Sequence, residues 1–234
     1  MRGYCFCCGT FSNLLNLSAK QRSLPPVGVG VTVNAYILYD DTFKSQSWLN
    51  NEETEADNVP SMDDFKKLFS QVQQYFNNEL IMVKFSIEST QKNNDLRVPY
   101  SGGKSLDATK TLDRLSAYAV TQSPSNDSIF YYFTESDLLQ ESKRGDHLEL
   151  EFTEKATHDT FCSGKVSAAV VKCFPGGKDC HMHAVRATAD VFGLRNYKKF
   201  TLTDFIRLLL MFANCPKSAC WTQCLQEDRP KILN

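Results

Sequence analysis

The sequence has no excess of either charge and no long hydrophobic run. Its 234 residues include 26 basic and 27 acidic side chains, for a formal net charge of −1. Binding to nucleic acid or to an anionic surface requires a clustered basic excess, so we expect no nucleic-acid partner. No apolar stretch is long enough to cross a bilayer, so we expect no membrane span. The 42% of hydrophobic residues are typical of an ordinary globular protein.

Histidine is also scarce, with four residues in the chain. Two of them, His181 and His183, are weak candidates for a displaced metal site. Side chains two positions apart on a helix point about 200° apart, so these two could share an ion only within a loop. Exposed histidines are usually plain surface residues. We therefore expect no metal and no other cofactor.

Cysteine, in contrast, is abundant, with nine residues. A zinc site is one explanation of such clustering, but the spacings lack two paired C-x2-C units. A disulfide framework formed in an oxidising compartment is the other, and it is favoured. We therefore predict three disulfide bonds in the last third of the chain. The sequence does not determine their connectivity. The six candidates are Cys162, Cys173, Cys180, Cys215, Cys220 and Cys224.

The remaining local signals concern secretion and the ends of the domain. Two acceptor sequons, at Asn16 and Asn126, fit a secreted glycoprotein. The first eight residues contain three cysteines and no long apolar segment, which is not a persuasive signal peptide. We interpret residues 1–27 as a tail or an incomplete N-terminus. Residues 28–234 are then expected to form a single domain.

Hydrophobic periodicity predicts strands that alternate with helices. Strands are predicted over residues 29–39, 81–87, 129–133, 147–152 and 166–171, and helices over residues 65–77, 106–119, 180–193 and 205–212. Ser61 and Thr201 have the positions of helix N-caps. This order predicts an α/β fold with a five-stranded, mostly parallel mixed sheet. Residues 147–152, whose side chains alternate in polarity, are expected to form an antiparallel edge strand.

Several of these segments resemble the reprolysin-like metzincins, especially the salivary metalloproteases of ticks. The opening strand Tyr36-Ile37-Leu38-Tyr39-Asp40, followed by Phe43, looks like the first strand of that family. Asp127-Ser128-Ile129-Phe130-Tyr131-Tyr132 resembles its third strand. Cys162, followed by Val166-Ser167-Ala168-Ala169-Val170, looks like the last strand before its catalytic helix. The resemblance covers residues 30–197 and implies a metzincin-like (zincin) domain with a disulfide-stabilised C-terminal part.

The catalytic motif of the family, H-E-x-x-H-x-x-G-x-x-H, is not present. When Gly193 is taken as its glycine, the first histidine falls on Arg186 and the glutamate on Ala187. The second and third histidines fall on Asp190 and Asn196. Catalytic zinc needs about three protein ligands and a water, whereas Arg186 is permanently cationic. We expect no catalytic residues at these positions, and a salt bridge between Arg186 and Asp190 in place of the metal.

The resemblance therefore implies a secreted, catalytically inactive protein that binds an extracellular or host protein, with immunity or haemostasis as the processes it would modulate. Two alternatives stay open. One is an active secreted zinc metalloendopeptidase with a divergent zinc site, in which zinc would be the cofactor. The other is a degenerate product without a selected activity.

Overall fold

The computed structural model describes residues 26–44, 59–142, 149–174 and 177–216. The helices are α1 (Met62–Asn78), α2 (Ala108–Thr121), α3 (Cys180–Val191) and α4 (Leu202–Phe212). The strands are β1 (Thr32–Tyr39), β2 (Lys84–Lys92), β3 (Leu106–Asp107), β4 (Ser128–Thr134), β5 (Leu138–Glu141), β6 (Glu149–Phe152), β7 (Glu154–Ala156) and β8 (Ser167–Lys172). The predicted N-caps Ser61 and Thr201 are both confirmed, and each forms a capping box with the aspartate three residues later.

The main sheet has five strands in the order β2-β1-β4-β8-β7. The first four strands are parallel, and β7 pairs antiparallel with β8. The prediction of a five-stranded, mostly parallel mixed sheet is confirmed. The parallel order follows from the helices that connect β1 to β2 and β2 to β4, since parallel neighbours need a crossover connection.

The position of the antiparallel edge strand differs from the prediction. Residues 149–152 do form a strand, β6, but it pairs with β5 in a separate three-stranded sheet. The antiparallel edge of the main sheet is β7, which begins two residues later. An alternating pattern specifies a strand and its two faces, but it does not specify the partner. His147 lies outside the described residues.

Helices cover both faces of the main sheet. Buried side chains of α1, α3 and α4 form one core, and those of α2 form the other. β4 lies between the two cores: Tyr131 and Phe133 belong to the first, whereas Phe130 and Tyr132 belong to the second. Every residue of β4 is buried, which explains why its sequence has no polar face.

Two disulfides hold the C-terminal part to the sheet. Cys173, just after β8, is bonded to Cys180, the first residue of α3. Cys162, in the loop before β8, is bonded to Cys215, just after α4. The other two candidates, Cys220 and Cys224, lie outside the described residues. Among the helices described, none is long and apolar enough to cross a membrane.

Candidate functional site

Gly193, the residue that anchors the motif alignment, ends helix α3. Its φ of +70° is left-handed, and its N–H donates to the carbonyl of Asp190 at 2.8 Å. The N–H of Leu194 donates to the carbonyl of Ala189, also at 2.8 Å. This pair of bonds is a Schellman motif, which favours glycine at the left-handed position. A Cβ at position 193 would also lie 2.5 Å from Oδ1 of Asp159. The glycine therefore has a structural role that is independent of any metal.

Helix α3 is attached to the sheet by its apolar face. Val185, Ala189 and Phe192 are buried on that face. Behind them the hydroxyl of Tyr131 on β4 lies 2.8 Å from Oγ1 of Thr188, which in turn donates to the carbonyl of Ala184. Burial raises the pKa of Tyr131, so this hydroxyl stays protonated. The opposite face of α3 is left free to line a surface feature.

That feature is a cleft of about 280 Å³ between strand β7 and the second half of α3. Strand β7 forms one wall, and α3 with the chain that follows it forms the other. The lining residues are Phe152, Glu154, Lys155, Ala156, Arg186, Ala189, Asp190, Leu194, Arg195 and Tyr197. Two of the five motif positions, Arg186 and Asp190, therefore lie in one cleft.

Arg186 is held in the cleft by three contacts. Its Nη1 lies 3.3 Å from Oγ1 of Thr153 and 3.7 Å from Oε2 of Glu154. Its guanidinium carbon lies 4.9 Å from the centre of the Tyr197 ring, a cation–π distance. The backbone of Tyr197 is fixed in turn, because its carbonyl accepts a hydrogen bond from the Tyr75 hydroxyl. Arg186 is thus a positioned cation.

The expected Arg186–Asp190 salt bridge is not formed. Oδ1 of Asp190 lies 2.6 Å from Nδ1 of His158 instead, and Arg186 is paired with Glu154. Helical spacing places Arg186 and Asp190 on one face of α3. Their partners lie elsewhere, however: Glu154 in β7, and His158 just after β7. The i, i+4 spacing identifies possible partners within one helix, but not partners from other elements.

The other two motif positions have no part in a common site. Ala187 is fully buried and has no ionisable group that could act as a base. Asn196 is exposed, and its side-chain oxygen accepts a hydrogen bond from the backbone N–H of Lys198. The residues at the positions of the glutamate and of the third histidine therefore supply neither a general base nor an imidazole ligand.

The histidine pair His181 and His183 is not arranged as a metal site either. Both lie in the first turn of α3, where residues two apart point in different directions. His183 uses Nδ1 for a 2.6 Å contact with the carbonyl of Lys172. Within the described ranges, no three histidine, cysteine, aspartate or glutamate side chains are grouped so that they could hold an ion. The residues of this cleft do not fit a zinc ion.

Sequence reasoning missed Glu154, His158 and Tyr197 as partners in the cleft. Glu154 and His158 each lie 32 residues before their partner in α3, Arg186 and Asp190, and nothing in their local sequence relates them to it. The scarcity of histidine was the one available signal for His158. The predicted sequon at Asn126 lies in the turn before β4, and Asn126 is exposed there. Asn16 lies outside the described residues.

Among the described residues β7 pairs only with β8, so the wall that it forms is an open edge of the sheet. The bonds from the N–H of Lys172 to Thr153 and from the N–H of Thr157 to Ala168 fix the pairing pattern with β8. Hydrogen-bonded and non-hydrogen-bonded pairs alternate in an antiparallel ladder. The backbone groups of Glu154 and Ala156 consequently point away from β8, along the side that borders the cleft. An open edge of this kind can accept a further strand.

No protein-family model matches this chain, and no curated protein matches it. Similar solved structures include the following two. Archaemetzincin from Methanopyrus kandleri has 13% sequence identity and a TM-score of 0.36, with 82% of this chain and 94% of that chain covered. Metalloproteinase-II from Bacteroides fragilis has 11% identity and a TM-score of 0.43, with 80% of this chain and 57% of that chain covered. At TM-scores and identities this low, the similarity carries no information on the chemistry of the cleft, which depends on the residues described above.

Proposed function

We propose that this protein is a secreted, catalytically inactive metalloprotease-like protein that binds an extended segment of an extracellular partner in the cleft beside α3. The observation that carries the proposal is the position of Arg186. Its guanidinium lies in the cleft, where it is held by Glu154 and Tyr197, and the alignment through Gly193 assigns the first histidine of the motif to this residue. A fixed cation repels a metal ion and cannot act as a ligand.

The loss of hydrolytic chemistry follows from the remaining positions. Hydrolysis by a zinc enzyme requires an activated water and a general base. Ala187 supplies no base, and Asp190 is engaged with His158. The motif positions therefore supply neither the zinc ligands nor the base that this route requires.

The capacity to bind rests on the shape and edge of the cleft. Strand β7 presents backbone donors and acceptors at Glu154 and Ala156, which suit an added strand of a partner. Alternate side chains of such a segment would enter the cleft or face solvent. Main-chain bonds would supply affinity, and the lining of the cleft would supply selectivity.

The two disulfides support secretion, because such bonds persist in oxidising compartments. The exposed Asn126 sequon agrees with that environment. The resemblance to salivary metalloproteases favours host proteins of immunity or haemostasis as partners.

The experiment uses a phage-displayed library of random peptides, selected on the full chain. Selected peptides are then synthesised and titrated calorimetrically against Ala156→Pro and, as the matched control, Ala156→Ser. Proline removes the outward N–H of residue 156 without removing a bond to β8, whereas serine keeps it. We expect about a tenfold loss of affinity for A156P and little change for A156S.

Two results would contradict the proposal: no enrichment of any peptide, or equal binding by both variants. A companion measurement does not depend on the folding of A156P. Selected peptides with N-methyl groups on alternate amides should lose affinity in one register and keep it in the other, because only one edge of an added strand meets β7.

A further inference from the structure

We propose that the cleft selects an acidic segment, with a carboxylate of the partner bound by Arg186 and Arg195. This inference rests on the proposed function and names the chemistry of its ligand. It starts from the balance of charge in the cleft and from Nη2 of Arg186, which takes part in none of the contacts of the described residues.

The lining of the cleft is positive. Three of its residues are cations, Lys155, Arg186 and Arg195, and two are anions, Glu154 and Asp190. Both anions are already engaged inside the structure: Glu154 with Arg186, and Asp190 with His158. Because Glu154 also offsets the charge of Arg186, the cations left to meet the charge of a ligand are Lys155 and Arg195.

Two of these cations are not neutralised by the described groups around them. Nζ of Lys155 contacts only uncharged partners among its described contacts, the Gln140 side-chain oxygen at 3.1 Å and the Phe152 ring at 5.0 Å. Arg195 is exposed on the opposite wall, next to the end of α3. A basic segment entering the cleft would be repelled from both walls, and a neutral one would leave these charges unpaired.

Arg186 contributes an unused donor. Its described hydrogen bond and ion pair both use Nη1, so Nη2 takes part in no described contact, and 31% of the side chain is exposed. A carboxylate is suited to this end of the side chain, because guanidinium and carboxylate groups form charge-assisted hydrogen bonds.

The neighbouring surface explains why the carboxylate would belong to a peptide. Tyr197 and Leu194 provide apolar surface beside Arg186, and the open edge of β7 lies opposite. An isolated small anion would use only the cations. An extended acidic segment uses the cations, the apolar surface and the strand edge together.

The test uses the peptides selected on the full chain. Each acidic residue of a selected peptide is replaced by its amide, Glu→Gln or Asp→Asn, and affinity is measured for the parent protein, Arg195→Gln and Arg186→Gln. Lys199→Gln, an exposed cation outside the lining of the cleft, is the matched control. Circular dichroism checks that each variant is folded.

We expect one acidic position at which the amide binds the parent about tenfold more weakly. That loss should shrink to less than about twofold in R195Q or R186Q and persist in K199Q, as a double-mutant cycle requires for a direct pair. Added salt should also weaken the acidic peptide more than its amide.

Selected peptides that bind equally well as amides would overturn this inference and leave binding at the β7 edge intact. An equal loss of affinity in all four proteins would overturn it in the same way. If no peptide is selected at all, both this inference and the proposed function are wrong.

Discussion

Gly193 and Arg186 are seven residues apart, and each is determined by a different physical requirement. Gly193 satisfies a backbone requirement, because the chain turns back at the end of α3 with φ of +70°. Arg186 satisfies a packing and charge requirement set by Glu154 and Tyr197. The backbone requirement can be read from the sequence alone, since glycine after a helix is its usual sign. The partners of Arg186 cannot, because they are brought to it by tertiary structure.

We predict that Gly193→Ala destabilises the protein more than Gly102→Ala. Both glycines have a left-handed φ, of +70° and +74°, but only the Cβ at position 193 meets a neighbour, Oδ1 of Asp159 at 2.5 Å. G102A should cost about 1–2 kcal/mol through backbone conformation alone. G193A should cost at least about 1 kcal/mol more, because Asp159 must move. Urea denaturation of the two variants measures the difference.

G102A is the matched control, because no described atom lies within 4 Å of its added Cβ. Equal losses of stability in the two variants would show that the approach of Asp159 to the end of α3 is not as described.

At the scale of elements, strand and helix positions follow from periodicity, whereas strand pairing follows from the whole fold. The pattern of residues 129–133 predicts a buried strand, and β4 lies between two cores. Its neighbours β1 and β8 are also apolar, so the centre of the sheet could be anticipated. The pattern of residues 149–152 predicts a strand equally well, yet its partner is β5 in the small sheet.

Three strands were not predicted from the sequence, β3, β5 and β7, and β7 is the one that forms a wall of the cleft. It has three residues, Glu154, Lys155 and Ala156, too few to show an alternating pattern. Its identity as an edge comes from pairing with β8 on one side only. The cleft as a whole could therefore not be predicted, although its helical wall could.

At the scale of the whole molecule, the two disulfides close loops of very different length. Cys162–Cys215 spans 53 residues and joins the loop before β8 to the end of α4. Cys173–Cys180 spans 7 residues and joins β8 to α3. The sequence predicted these four cysteines as bridge formers but not their pairing, because clustering does not determine connectivity.

We predict that Cys162→Ala/Cys215→Ala is more destabilising than Cys173→Ala/Cys180→Ala. Loop-closure entropy assigns about 4 kcal/mol to the longer loop and about 2 kcal/mol to the shorter one. All four cysteines are buried, so the loss of packing should be similar in the two double variants. Guanidinium denaturation under non-reducing conditions measures both, and the reverse order would contradict the entropic explanation.

The central claim for the whole molecule is that a cleft with Arg186 in it holds no zinc and cleaves no peptide. The most direct measurement is the zinc content of the purified protein, by elemental analysis after dialysis against zinc, alongside a broad panel of peptide substrates with and without a chelator. We predict far less than one zinc per chain and no chelator-sensitive cleavage. One zinc per chain, with cleavage that the chelator abolishes, would contradict the claim and establish a divergent zinc endopeptidase.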